Sequence, residues 1–478
     1  MLFSPLEHQH LAIDHMHEKD IALLFAGMGL GKTASTLEAF NRRFLDGDCK
    51  GVLIVAPLRV AVLTWPDEVK KWANFSWMRV ANLRTKEGKR AWENGDAEIY
   101  CINYEALPTF SKNHIHGKRA AQMPVDAVVF DEISVAKNPQ SKRINAFRKY
   151  IPKFRIRQGL TGTPLPNSHL DLFAQVRLVD EGERFGKFST HYRKTYFRPE
   201  NEYSDFPKYV LRDGAKEIIE EKLSDIALTL LSKDWLKIPP TELIDVPTTM
   251  NKKARETYQR LEEELIVLLS NGEKLKAVNL AVLAGKLLQI TGGACYKTDE
   301  DDNATQEVET LHDSKIKALA KLYKDEGEEP ILIACQYRHE IERVKKELGA
   351  IEFSEENLPK WNEGKIPMMV AHPKSISHGL NLQHGGRIIV WYSLSYSRET
   401  YDQFNARLAR TGQQHITKIF RLICPGTIDD AVAGVLHNKG ANQSAFLDAM
   451  NNVQRLLGNA PANANIDMAG FDEDDFTV

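Results

Sequence analysis

The sequence predicts an α/β fold of two parallel-sheet lobes in tandem, with helical insertions and a phosphate-binding loop (P-loop) in the first lobe. Three observations predict it. Near the N-terminus an apolar run turns into glycines and closes on Gly31-Lys32-Thr33. Short apolar runs alternate with helix-forming stretches up to about residue 170, lapse, and resume at residue 330. The chemically distinctive segments follow the apolar runs, and loops at the carboxyl ends of parallel strands are where open α/β sheets carry their sites.

The first apolar run leads through Ala26-Gly27-Met28-Gly29-Leu30-Gly31-Lys32-Thr33 into helix formers. This reads as strand, glycine-rich turn and helix N-terminus, where backbone N–H groups surround phosphates, Lys32 reaches the β/γ-phosphates and Thr33 holds Mg²⁺. Ala26 stands where the usual pattern has glycine, with Gly27, Gly29 and Gly31 keeping the turn permissive. Upstream, Gln9 can offer its amide to an adenine edge, which makes ATP the expected nucleotide.

Residues 51–57 and 98–102 read as buried parallel strands. Ala127-Val128-Val129-Phe130-Asp131-Glu132 is an apolar strand ending in two acids. After a P-loop this is the Walker B arrangement, with Asp131 on Mg²⁺ and Glu132 polarising the attacking water. A further strand ends at Thr161-Gly162-Thr163-Pro164.

These segments, with Val55-Ala56-Pro57-Leu58, resemble motifs I, Ia, II and III of helicase superfamily two. Met28-Gly29-Leu30-Gly31-Lys32-Thr33, Lys137-Asn138 and Thr161-Gly162-Thr163-Pro164-Leu165-Pro166-Asn167 have the form of its Swi/Snf-type branch. One departure is Ser134, where the family carries a histidine credited with linking hydrolysis to DNA contacts.

Between about 170 and 330 helical and irregular stretches are expected. Residues 184–198 interleave bases with aromatics, open to two readings: a phosphate-tracking surface with stacking rings, or an amphipathic helix with its aromatics in a core. Proline-punctuated residues 231–240 read as a linker, and helices are expected at 254–270 and 278–289. In the second lobe, strands are expected within 330–337, 367–372, 387–392 and 416–423. Gln403-Phe404-Asn405-Ala406-Arg407-Leu408-Ala409-Arg410-Thr411-Gly412-Gln413 predicts a helix with Arg407 and Arg410 on one face, at i and i+3. Aimed at a γ-phosphate, two guanidiniums stabilise transition-state charge as arginine fingers. This segment resembles motif VI, residues 331–337 motif IV, and Ser375 to Leu382 motif V. His372-Pro373 with His378-Gly379-Leu380-Asn381-Leu382-Gln383 is most similar to the small phage- and prophage-encoded members. Ser395-Tyr396-Ser397-Arg398 departs from the Asp-Trp-Asn-Pro of larger ones.

The resemblance implies two RecA-like lobes sharing one ATP with Mg²⁺, and ATP-driven translocation on duplex DNA without strand separation. It adds Gly379 to the nucleotide-binding residues. It implies nucleic-acid contacts at Arg59, Asn103, Tyr104, Lys137, Thr161, Thr163 and Ser375. The alternatives are a strand-separating DNA or RNA helicase and, in another class, a catalytically weak DNA-binding scaffold. The expected domains are 1–240, 241–457 and a flexible acidic tail at 458–478, which either solubilises or docks a partner protein.

The 478 residues carry a formal charge of −2, so nucleic-acid contact must come from local patches. Five scattered cysteines exclude a zinc framework and read as reduced thiols. No apolar run approaches the ~18 residues that span a bilayer, and no targeting signal is evident. A cytoplasmic monomer is expected.

Overall fold

The computed structural model describes residues 1–116, 123–136, 141–162, 169–199, 209–270, 275–298, 304–376, 380–437 and 466–467. It divides into two compact units, one over Met1–Asn201 and Lys208–Lys237, the other from Ile238 onward.

The first unit is built on seven strands: β1 (Ile21–Ala26), β2 (Val52–Ala56), β3 (Val80–Asn82), β4 (Ile99–Asn103), β5 (Ala127–Asp131), β6 (Ile156–Thr161) and β7 (Ala227–Leu230). Their order across the sheet is β3-β4-β2-β5-β6-β1-β7 and every pairing is parallel. Alternate side chains feed two separate cores. Leu23, Phe25, Leu53, Val55, Val128 and Phe130 join one. Leu24, Ala26, Ile54, Ala127, Val129 and Leu160 join the other. Both faces are therefore covered, which is why these strands read as unbroken apolar runs.

The second unit repeats the plan with β8 (Thr241–Pro247), β9 (Ile331–Ala334), β10 (Ile351–Glu352), β11 (Met368–Ala371), β12 (Ile388–Trp391) and β13 (Thr417–Ile423). The order is β8-β13-β12-β9-β11-β10, again all parallel. Leu332, Ala334, Ile389 and Trp391 face one core, while Ile331, Ile333, Ile388 and Val390 face the other. Helices Lys252–Ser270 and Ala277–Gly292 pack with this unit.

The expected gap in strand pattern is not empty. β7 and β8 lie inside it, and with β3 and β10 they are the four outermost strands. In the basic and aromatic stretch four of the five aromatics take the core reading, and Phe188 is exposed. Tyr192 and Tyr196 of helix Ser189–Tyr196 are buried with Phe185 and Phe197, their rings in mutual contact. Arg184 is held by Asp225. Of the predicted tail, Ile466–Asp467 forms a two-residue strand beside Leu275–Lys276, and the rest lies outside the described residues. Among the described residues no helix is long and apolar enough to cross a membrane.

Candidate nucleotide site

The sheet order brings the motifs of the first unit together. β5 and β1 flank β6, with Asp131 beside Leu160 and Phe25 beside Thr161. The turn after β1 and the two acids, Asp131 ending β5 and Glu132 following it, therefore lie at the same sheet end.

In the P-loop, Gly29 and Gly31 have φ of 85° and 77°, the left-handed region that favours glycine. Ala26 is still strand, paired with Leu230 and buried, so its Cβ costs nothing and glycine is not needed there. Gly27 has a different reason: a Cβ would stand 2.1 Å from Ser232 Oγ. Ser232 follows β7, and its hydroxyl donates to Met28 O at 2.9 Å. A Cβ on Gly31 would meet Gln9 Nε2 at 2.2 Å. Gln9 is buried, accepts from Leu6 N at 2.9 Å and thus holds its amide against the loop. Lys32 and Thr33 open helix Lys32–Leu45, and Lys32 Nζ donates to Ala26 O at 2.9 Å.

Asp131 and Glu132 are 7% and 9% exposed. Burial, and next the neighbouring Glu132, push the Asp131 carboxyl up to about 6, against the Trp65 hydrogen bond and Lys32, which favour its charged form. Trp65 Nε1 donates to Asp131 Oδ2 at 2.9 Å. Glu132 has a φ of 57°, uncommon for a residue with a Cβ. Its Oε1 accepts from Ser134 Oγ at 2.8 Å and from Thr161 Oγ1 at 3.0 Å. The set suits a phosphate chain with a divalent cation. The glycine turn leads into the N-terminus of helix Lys32–Leu45, where backbone N–H groups favour an anion, Lys32 opens that helix, and two crowded carboxylates want a counter-charge.

Several residues expected at nucleic acid turn inward instead. Asn103, Tyr104 and Thr161 are 4%, 2% and 1% exposed. Tyr104 donates its hydroxyl to Asp131 O at 3.0 Å, and the Asn103 amide donates to Glu105 at 2.5 Å. Arg59 is half-buried and Ser375 exposed. Lys137, Thr163 and Gly379 lie outside the described residues.

In the second unit the arginine segment departs from the expected helix. Helix Arg398–Asn405 ends before either arginine. Arg407 Nε donates to Gln403 O at 3.0 Å, the carbonyl that its own backbone N–H would take in a continuing helix. That N–H goes to Phe404 O at 3.0 Å, tightening the chain into turns. Both guanidiniums nonetheless meet: Arg407 and Arg410 donate to the single carbonyl of Leu380, at 3.0 and 2.9 Å. Burial lowers the pKa of Arg410.

A family profile described as SNF2-related domain matches residues 8–292, more than half of the chain. The chain belongs to the SNF2-related family. Putative protein p41 of Acyrthosiphon pisum secondary endosymbiont phage 1 is 34% identical over 94% of this SNF2-related chain and 99% of its own length. This bears out the resemblance to small phage-encoded members. An uncharacterised ATP-dependent helicase of Mycoplasma genitalium is 23% identical over 86% of the chain, which spans only 39% of that protein. Among solved structures, the Sulfolobus solfataricus SWI2/SNF2 ATPase core in complex with dsDNA covers 95% of the chain and 99% of its own, at 17% identity and a TM-score of 0.44.

Sequence reasoning missed Trp65, Ser232 and the Leu380 carbonyl. It singled out Ser134 as a departure without foreseeing its bond to Glu132. Only Trp65 had a usable signal, the Pro66 that follows it.

Proposed function

We propose that this SNF2-related chain hydrolyses ATP to ADP and phosphate and uses the cycle to move along duplex DNA, in replication, recombination or repair. The observation that carries the reading is Glu132 Oε1 held by two hydroxyls beside Asp131 in a glycine-cradled site. A carboxylate fixed in this way can orient a water for in-line attack on the γ-phosphorus and take its proton as the bond to the β–γ bridging oxygen breaks. Lys32 and the loop N–H groups hold the phosphates, and Gln9 takes the adenine edge. Thr33 and Asp131 hold Mg²⁺, which when bound neutralises charge on the phosphate oxygens. Arg407 and Arg410, from the second unit, stabilise charge on the transferred group in the closed state.

Duplex DNA as the stimulating polymer is supported by family membership and by the Swi/Snf-type form of the motifs. Steady-state ATPase measured without polymer, then with single-stranded DNA, duplex DNA and RNA at stated salt, tests it. Duplex should stimulate most, and Glu132→Gln should keep ATP binding while losing turnover. Stimulation by single strands or RNA alone would replace duplex DNA with those polymers. No turnover under any condition would leave a binding scaffold.

A further inference from the structure

Trp65 is a buried donor that the proposed chemistry leaves unused. It is 1% exposed, and its indole N–H ends on Asp131 Oδ2 at 2.9 Å. Its position depends on an unusual piece of backbone. Residues Val60–Thr64 form a π-helical turn, closed by the Trp65 N–H on Val60 O, five residues back. Such turns are rare and recur at functional sites. Here the cause lies in the sequence. Pro66 has no N–H to give to Val62, four residues earlier, and its ring would strike that carbonyl. The wider turn removes the conflict and carries the Trp65 ring to the inner side.

At its other end the π turn is anchored to the segment that follows β2. Ala61 N donates to Pro57 O at 2.9 Å, Leu58 is 45% exposed, and Arg59 is half-buried. β2 itself pairs with β5, the strand that ends in Asp131. One short helical stretch of chain thus reaches from the exposed Leu58 to a buried carboxylate oxygen.

We propose that Trp65 is a positioning residue for the metal-binding carboxylate: it holds Asp131 Oδ2, leaves Oδ1 for the cation's water shell, and ties that carboxylate to residues 57–59. The inference rests on the assignment of Asp131 to Mg²⁺ made above. A neutral indole suits this task, because it fixes the carboxylate without supplying the positive charge that would compete with the cation.

The test is ADP binding to the full chain with and without Mg²⁺, compared between wild type, Trp65→Phe and Lys32→Ala, so that no hydrolysis is needed. Phenylalanine keeps most of the apolar bulk and removes the N–H. Trp65→Phe should bind ADP as wild type does without metal, and the strengthening that Mg²⁺ brings should fall about tenfold, the worth of one hydrogen bond to a charged group. Lys32→Ala should lose affinity under both conditions. Full Mg²⁺ strengthening in Trp65→Phe overturns the inference, as does an equal loss with and without metal, which a merely structural tryptophan would produce. Failure of the wild type to bind ADP more tightly with Mg²⁺ would instead defeat the nucleotide-site reading itself. Should Trp65→Phe not fold, wild-type protein with ¹⁵N-labelled indoles and Mn²⁺·ADP provides the second measurement. One indole N–H resonance should be broadened far beyond the others, and the absence of any such resonance overturns the inference.

Discussion

Replacing Ser134 by alanine should slow hydrolysis about tenfold while ATP binding stays close to wild type. Glu132 Oε1 accepts two hydroxyls, at 2.8 and 3.0 Å, and the side chain is nearly buried. A hydrogen bond to a charged group is worth about 1.5–3 kcal/mol. Because both donors share one oxygen, deleting either leaves the other in place, so the lower end applies to a single deletion. About 1.4 kcal/mol on the barrier is a factor of about ten in rate. Thr161→Val, which keeps shape and loses the hydroxyl, should behave alike. The double variant should lose more than the product of the two, on the order of a thousandfold, since groups in one network do not add independently. Single-turnover hydrolysis at saturating ATP isolates the chemical step from product release, and equilibrium binding of ATP supplies the control. Wild-type rates in both single variants would refute the idea that these hydroxyls hold the catalytic carboxylate. A fall in ATP affinity that matches the fall in rate would refute it too.

Gly31→Ala places a Cβ at a backbone φ of 77° and against the amide of Gln9, which is proposed to take the adenine edge, so nucleotide affinity should drop at least tenfold in equilibrium ATP binding. Arg410→Ala should remove roughly a thousandfold of polymer-stimulated turnover, the scale of an arginine finger, with little change in ATP binding; Arg410→Lys should fail as well, because an ammonium lacks the planar fork. In the second unit, burial pushes the Glu340 carboxyl up to about 7. A folded-state pKa above the ordinary 4.5 means that the favourable contribution is present at low pH and is lost as pH rises through about 7. Glu340→Gln should therefore raise the melting temperature above pH 7, and the gain should vanish below the ordinary carboxylate range.

What the sequence made legible follows from burial. β2, β5, β9 and β12 are covered on both faces, so each is a continuous apolar run with no competing pattern. The four unpredicted strands of the two large sheets are their edges. β8 alternates exposed and half-buried residues, and β10 is two residues long; neither needs the apolar run that announces a central strand. Direction was the harder quantity. Spacing places Asn103, Tyr104 and Thr161 at strand ends, but a strand end has an inner and an outer side, and their inward turn is set by contacts with Glu105, Asp131 and Glu132. The arginine segment fails as a helix for a local reason equally invisible in spacing: the side chain of Arg407 captures a carbonyl meant for the backbone.

Those inward turns bear on the missing histidine. Three separate segments of the first unit end on the two acids: Trp65 on the Asp131 side chain, Tyr104 on its carbonyl, and Thr161 on Glu132. In sequence, each segment carries a residue that the family resemblance assigns to nucleic acid, namely Arg59, Asn103 and Thr163, although Asn103 itself is buried. Under the proposed function, a displacement of the Trp65 or Thr161 segment would reach an acid side chain, and one of the Tyr104 segment the Asp131 main chain, each through one side chain and one hydrogen bond and without a group at position 134 as intermediary. Ser134 then has a narrower task. The φ of 57° at Glu132 folds its carboxylate back over the following turn, where a side chain as short as serine can reach it. Thr161 meets the same oxygen from the neighbouring strand, so Glu132 is held without a longer residue at position 134.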